Sequence, residues 1–311
     1  MLSTPARPQP QTDLNEMHEE MTAAMQWNCL DGWSMEATAR DIPNLAAMAS
    51  RFAPGTIIAI PYLASESDAD RLDAAAAIRE LGFTPMPHIA ARRLSSCGAL
   101  ERLLEGWAAR AKVERMLVLA GDCARPAGPF EDALALLQTG LLRRHGVHTA
   151  VISGYPEGHP KIPDPRLARA MRDKLAAIAD QGLTAEIATQ FCFSATPLLD
   201  WLEELRAGGI LVPVRLGVPG PANLRTLLRY AALCGVSASA AVLARYGFSL
   251  TKLRSHAGPD QLVHALVSGL ALERHGQVFA HFYPYGGMSS LGAWLERQRF
   301  VHAPLVKVRI S

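Results

Sequence analysis

"HTAVISGYPEGHP", His148–Pro160, runs from a core strand directly into a turn that carries an aromatic ring, an acid and an imidazole. Its first part, residues 148–155, is apolar and β-branched, which predicts a strand covered on both faces. Its second part sets Tyr155, Glu157 and His159 among Gly154, Pro156, Gly158 and Pro160. Glycine and proline hold such a turn in one shape. A covered strand that ends in fixed polar residues is how an α/β barrel presents a site, at the C-terminal ends of its strands.

Working outward, runs of the same kind recur at 33–38, 55–62, 83–90, 115–122, 185–193, 211–218 and 277–285. Between them lie helical patterns at 41–52, 67–81, 98–111, 130–144, 165–181, 196–207, 221–233, 261–274 and 289–298. Ser67 and Asp68 are placed to cap one helix, with Gly82 past its end. Pro163-Asp164-Pro165 opens another, closed by Gly182, and Asp260 is placed to cap a third. Eight strands alternating with helices predict an α/β fold, a single-domain (β/α)8 TIM barrel spanning residues 26–311. An extra helix is expected between 218 and 277, before the last strand, and residues 1–25 form an N-terminal extension, partly disordered. A doubly wound open sheet would want a glycine-rich G-x-G-x-x-G turn after the first strand, and "SMEATARD", residues 34–41, has none.

Composition bounds the function. With 49% hydrophobic and 19% charged residues in 311, the chain buries a large core. A net charge of +2 points to neither nucleic acid nor an anionic membrane as partner. Five scattered cysteines without a C-x-x-C pair fit a reducing cytoplasm, not a disulfide framework or zinc ribbon. The first twenty residues lack the apolar segment of a signal peptide, and no run of 18 apolar residues predicts a membrane span.

The predicted strand ends collect polar residues on one rim: Glu36, Tyr62, His88, Asp122, Tyr155 with His159, and Gln190. Each also has a plain reading. Glu36 would be a solvated strand end, Asp122 a loop cap, His88 a packed histidine, and Tyr230 on the helix after strand 7 a core aromatic. Gln190 within "IATQF" must satisfy both a donor and an acceptor in an apolar strand. Two chemistries suit the rim. Metal-dependent hydrolysis would want clustered histidines, often H-x-H on strand 1, which is missing here. Chemistry on an uncharged heterocycle, with Glu and Asp as acid and polariser and Gln as recognition amide, fits better, and no metal is expected.

"LAGD" (119–122), "SGYPEGHP" (153–160), "ATQFCF" (188–193) and "HFYPYGG" (281–287) occur in the order and spacing of the methylenetetrahydrofolate reductase family. The chain resembles that family from about residue 30 to 298. The resemblance implies a barrel that binds FAD and uses NADH or NADPH to interconvert 5,10-methylenetetrahydrofolate and 5-methyltetrahydrofolate, in one-carbon metabolism and methionine biosynthesis. It implies catalytic roles for Glu36, as the acid, and Asp122. Cofactor contacts would come from Tyr62, His88, Asp122, Tyr155 and His159, and substrate contacts from Gln190 and Tyr230. The chain departs from the family pattern at Ala37-Thr38-Ala39, Pro61-Tyr62-Leu63, His88-Ile89-Ala90 and Gly286-Gly287, and at Ile178, where the family carries a lysine. These leave a second reading open, a flavin-free folate-binding or methyl-transferring partner, with a metal-dependent barrel hydrolase as the third. Homo-oligomerisation, direction and the choice of nicotinamide stay open, with NADH favoured by the lack of a basic cluster.

Overall fold

Alternate residues along each strand divide into two apolar sets. In the computed structural model, which describes residues 29–236 and 256–301, Met35, Ile58, Ile60, Ile89, Val118, Ile152, Ile187, Leu216 and Phe282 join the core beneath the helices. Ala59, Met86, Leu117, Val151 and Ala188, one residue out of phase on their strands, form a separate cluster. This is the period-2 geometry of a sheet closed on itself, one face to the helices and one to the lumen.

The closed barrel has eight parallel strands: β1 (Ser34–Glu36), β2 (Ile57–Ile60), β3 (Thr84–Ala90), β4 (Arg115–Leu119), β5 (Thr149–Gly154), β6 (Thr184–Phe191), β7 (Val214–Pro219) and β8 (Val278–Tyr283). Pairing of β1 with β8, Ser34 opposite His281, closes it. The (β/α)8 TIM barrel expected from the strand spacing is the fold. Around it lie α1 (Ile42–Met48), α2 (Asp68–Glu80), α3 (Cys97–Ala111), α4 (Ala133–Leu137), α5 (Leu141–Arg144), α6 (Asp164–Asp180), α7 (Ala195–Ala207), α8 (Leu224–Cys234), α9 (Asp260–Gly269), α10 (Leu272–His275) and α11 (Met288–Val301). Among the described residues, the extra helical material before the last strand is α9 and α10. The expected N-terminal extension lies outside the described residues, as do residues 237–255. Among the described residues, no helix is long and apolar enough to cross a membrane.

Local chemistry explains most boundaries. Ser67 caps α2 by accepting from the Asp70 amide at 3.1 Å, and Asp70 accepts in return from the Ser67 amide at 2.8 Å. The single helix expected over 130–144 is two, because Gly140 takes a left-handed φ of 71° between α4 and α5. Asp260 is not the cap of α9. Its carboxylate accepts from the Trp294 indole at 2.9 Å and ties α9 to α11.

Two features of the barrel wall position the site. First, β6 carries a bulge between Ala188 and Phe191, and β7 approaches it closely there. A Cβ on Gly217 would stand 2.7 Å from the backbone N and Cα of Phe191. Gly217→Ala is therefore expected to destabilise the fold by about 1–3 kcal/mol through overpacking. A denaturant midpoint unchanged from wild type would show that the strands can part freely at the bulge. Second, a buried ionic layer crosses the barrel. Glu186 accepts from Arg215 Nε at 2.9 Å and pairs with Arg115 Nη1 at 2.5 Å. Arg215 also donates to Ser34 Oγ at 3.2 Å, and Ser34 bonds His281 Nδ1 at 2.8 Å.

Candidate active site

Strand parity puts the polar residues in the lumen. Glu36 lies two residues after Ser34, His88 after Met86, Gln190 after Ala188 and Tyr283 after His281. Each follows an inward-facing residue and takes the next inward position. They open into a cavity of about 1830 Å³ lined by Glu36, His88, Asp122, Tyr155, His159, Gln190 and Tyr230. That is roughly twice the upper range of about 300–1,000 Å³ common for one small ligand. Of the residues expected from sequence, Tyr62 is outside this lining.

Glu36 ends β1 with its side chain 19% exposed, and burial pushes its carboxyl up to about 8. His88 Nε2 stands 4.0 Å from Glu36 Oε1. Burial, helped by the Arg71 guanidinium, holds His88 down at about 3. At neutral pH the carboxyl is therefore protonated and the imidazole neutral, so their contact is not an ion pair. A carboxylic acid that keeps its proton at pH 7 is suited to general acid work.

The turn after β5 builds one wall. Gly158 donates to the Tyr155 carbonyl at 3.0 Å, and the rings of Tyr155 and His159 meet edge-on at 5.1 Å. Burial raises the Tyr155 hydroxyl, which is hydrogen-bonded to Ser153. Gln190 Oε1 accepts from the Phe191 amide at 3.1 Å, and the Cys234 thiol bonds the same side chain.

A ladder of tyrosines builds a further part of the wall. Tyr230 stacks on Tyr285 at 3.9 Å and 15°, and Tyr285 on Tyr283 at 5.6 Å and 21°. Phe191 meets Tyr283 and Tyr285 edge-on at 5.5 and 5.2 Å. The Tyr283 hydroxyl donates to the Thr189 carbonyl at 3.0 Å, and burial raises both the Tyr283 and Tyr285 hydroxyls. Such a wall offers flat faces to a planar ring. Sequence reading singled out Tyr230 but not Tyr283 or Tyr285, although inward parity from His281 marks the first of them.

Two expected residues stand apart from this core. Asp122 lies beyond the end of β4, 83% exposed on the outer lip. Arg93 binds it at 2.7 Å and holds its carboxyl below the usual range. Tyr62 faces the guanidinium groups of Arg71 at 4.8 Å and Arg93 at 5.3 Å. Arg92 donates to the carbonyls of Glu131 at 2.7 Å and Cys123 at 3.1 Å. The arginine pair thus staples the loop after β4.

The cavity continues along α6. At the place where the resemblance implies a lysine, Ile178 is fully buried in the core. Lys174, one turn earlier, lines the cavity instead, together with Lys161 and Arg166. Burial lowers the Lys174 amine and Asp132 opposes the shift. Tyr155 and His159 and the cations Lys161, Arg166 and Lys174 thus line one and the same cavity. Among the described residues, no group of three or more His, Cys, Asp or Glu is placed to hold a metal ion.

Residues 38–252 match the sequence profile described as methylenetetrahydrofolate reductase. Methylenetetrahydrofolate reductase 2 of Saccharomyces cerevisiae is 28% identical over 129 residues, covering 38% of this chain and 20% of that protein. The match thus spans about a fifth of the length of this curated relative. Among solved structures, an uncharacterized protein from Clostridium thermocellum, which binds two copies of 5-methyl-5,6,7,8-tetrahydrofolic acid, superposes with a TM-score of 0.59. It is 10% identical, over 91% of this chain and 99% of that one, a likeness of fold.

Proposed function

The chain belongs to the methylenetetrahydrofolate reductase family, and on that premise we propose that it interconverts 5,10-methylenetetrahydrofolate and 5-methyltetrahydrofolate, with FAD and NADH or NADPH as redox partners. The observation that carries this reading is Glu36, an acid protonated up to about pH 8, in the same cavity as a ladder of tyrosines.

In this reading the tyrosine ladder receives the flat pterin ring, and Gln190 reads its polar edge. Glu36 gives its proton to the bridge nitrogen of the five-membered ring as the carbon–nitrogen bond breaks. The electron pair goes to that nitrogen, and the open form is an iminium whose carbon accepts hydride. FAD, when bound, supplies the hydride relay between nicotinamide and folate. Tyr155 and His159 would edge its ring, and Lys174 with Arg166 would hold its phosphates. Stacking one ring on another at reacting distance is the protein's part in the hydride step.

The test is NADH oxidation with 5,10-methylenetetrahydrofolate, followed by absorbance with and without added FAD, and in the reverse direction. Absence of turnover in all of these would remove the proposal. For the cofactor arm, Lys174→Met is expected to weaken FAD binding about 10-fold or more, as for the loss of a charge-assisted hydrogen bond. Quenching of flavin fluorescence on titration checks this, and an unchanged dissociation constant would take Lys174 out of the cofactor site.

One observation favours a second reading, a flavin-free folate-binding or methyl-transferring partner. Tyr62 and Asp122, both expected at the flavin, are engaged by Arg71 and Arg93. Binding of 5-methyltetrahydrofolate by a protein that takes up no flavin would support it.

A further inference from the structure

Of the tryptophans among the described residues, Trp33, Trp107 and Trp294 are buried in the core. Trp201, on α7, is only half-buried, and the chemistry above does not use it. Its place follows from β5. Ile152 faces the helices, so Gly154, two residues on, faces them too, while Ser153 follows Val151 toward the lumen. A Cβ on Gly154 would stand 2.9 Å from Trp201 Cη2 and 3.1 Å from Cζ2. The bare glycine therefore lets the six-membered edge of the indole rest against the end of β5. Ser153 and Trp201 line the same cavity. The cavity thus crosses the end of β5, from the lumen into the helix layer.

In that outer arm the two flanking helices differ in charge. The lining on α6 includes Arg166, Arg169, Arg172 and Lys174 against Asp164 and Asp173. Arg169 is held only loosely by Asp173, at 3.7 Å with 81% of its side chain exposed. The lining on α7 has Trp201 and, one turn on, Glu204. A tryptophan needed only as packing would be closed over like the other three. One half-buried beside a cationic helix offers a flat apolar face to a ring that carries phosphates. We propose that the arm between α6 and α7 is a base subsite: Trp201 stacks the adenine of a dinucleotide, the α6 cations hold its diphosphate, and Glu204 accepts from the exocyclic amine of the adenine. The Glu204 carboxylate repels phosphate, which fixes the direction in which the nucleotide half lies. On the reductase reading the occupant is FAD, since Lys174 and Arg166 then hold its phosphates. The subsite itself does not depend on that reading.

Calorimetric titration of the full-length protein, stripped of any bound nucleotide, tests this with ADP, FAD, FMN and NADH. ADP alone should bind, and FAD should bind at least about 10-fold tighter than FMN, which lacks the adenosine half. Trp201→Ala should weaken ADP and FAD by about 5- to 150-fold, the span for one base stacked on an aromatic ring, and leave FMN unchanged. Trp201→Phe should keep most of the affinity. A folded Trp201→Ala variant that binds ADP and FAD as wild type does would overturn the proposal, as would a wild-type protein indifferent to ADP. If Trp201→Ala does not fold, indole N–H NMR in tryptophan-labelled protein decides, with the Trp201 signal assigned from Trp201→Phe. ADP should shift that signal through the ring current of the stacked base, and a signal unmoved at saturating ADP refutes the stack. Loss of NADH binding in Trp201→Ala with FAD binding intact would keep the subsite and overturn FAD as its occupant. ADP bound through Trp201 in a protein without folate turnover would support the subsite and count against the reductase reading alone.

Discussion

Glu36→Gln is expected to lower folate reduction by about 10²–10⁴-fold, the usual worth of a placed general acid. The amide keeps the shape of the carboxyl and cannot give up a proton. Reduction of bound flavin by NADH should survive, because that half of the reaction needs no acid at Glu36. Stopped-flow measurement of the two halves separates them, and equal loss in both would contradict the assigned role. The wild-type profile carries the same signature: activity with methylenetetrahydrofolate should decline as pH rises through about 8.

The same residue shapes stability. The folded carboxyl holds its proton up to about 8, whereas an exposed one releases it near 4.5. Between those values the unfolded chain binds fewer protons, so wild-type stability falls as pH rises through the interval. Each unit of the shift is worth about 1.4 kcal/mol. Glu36→Gln escapes this loss. It should melt close to wild type in acid and above it in alkali, a stabilised protein with an impaired reaction.

Glu186→Ala is expected to destabilise the barrel by about 3–5 kcal/mol, because it strands buried cations. One carboxylate there answers two guanidinium groups, with Arg215 only 4% exposed. Denaturant unfolding measures the effect, and Glu186→Gln should lose less because its amide still accepts one hydrogen bond. A change within about 0.5 kcal/mol, the scale of an ordinary surface substitution, would mean that water reaches the layer and solvates the arginines.

The barrel was legible because strands buried on both faces leave continuous apolar runs, and turn residues punctuate them. The rim was legible for the same reason, since a polar residue closing such a run has few places to go. Partners distant in sequence were harder to see. Asp122 looked like a site acid from "LAGD", and nothing local marks Arg93 as the cation that holds it at the lip. Arg71 sits in "DADRLDAAAAIRE", a stretch rich in charge, yet it is buried, with the Trp107 ring of α3 5.3 Å from its guanidinium. The split of the helix over 130–144 was written in Gly140, but a single glycine is weak against helical periodicity. Asp260 shows the reverse error: a good capping residue is used by the Trp294 indole instead.

The tyrosine ladder has a practical consequence. Three nearly parallel phenol rings in succession form a coupled set of chromophores on the cavity wall, and Trp201 lines the same cavity. The two kinds of ring absorb in different near-ultraviolet bands. Tyrosine circular dichroism reports the ladder, and a difference emission spectrum against Trp201→Phe reports the surroundings of Trp201. Occupancy of each can be followed optically in unlabelled protein, even by ligands that are themselves colourless.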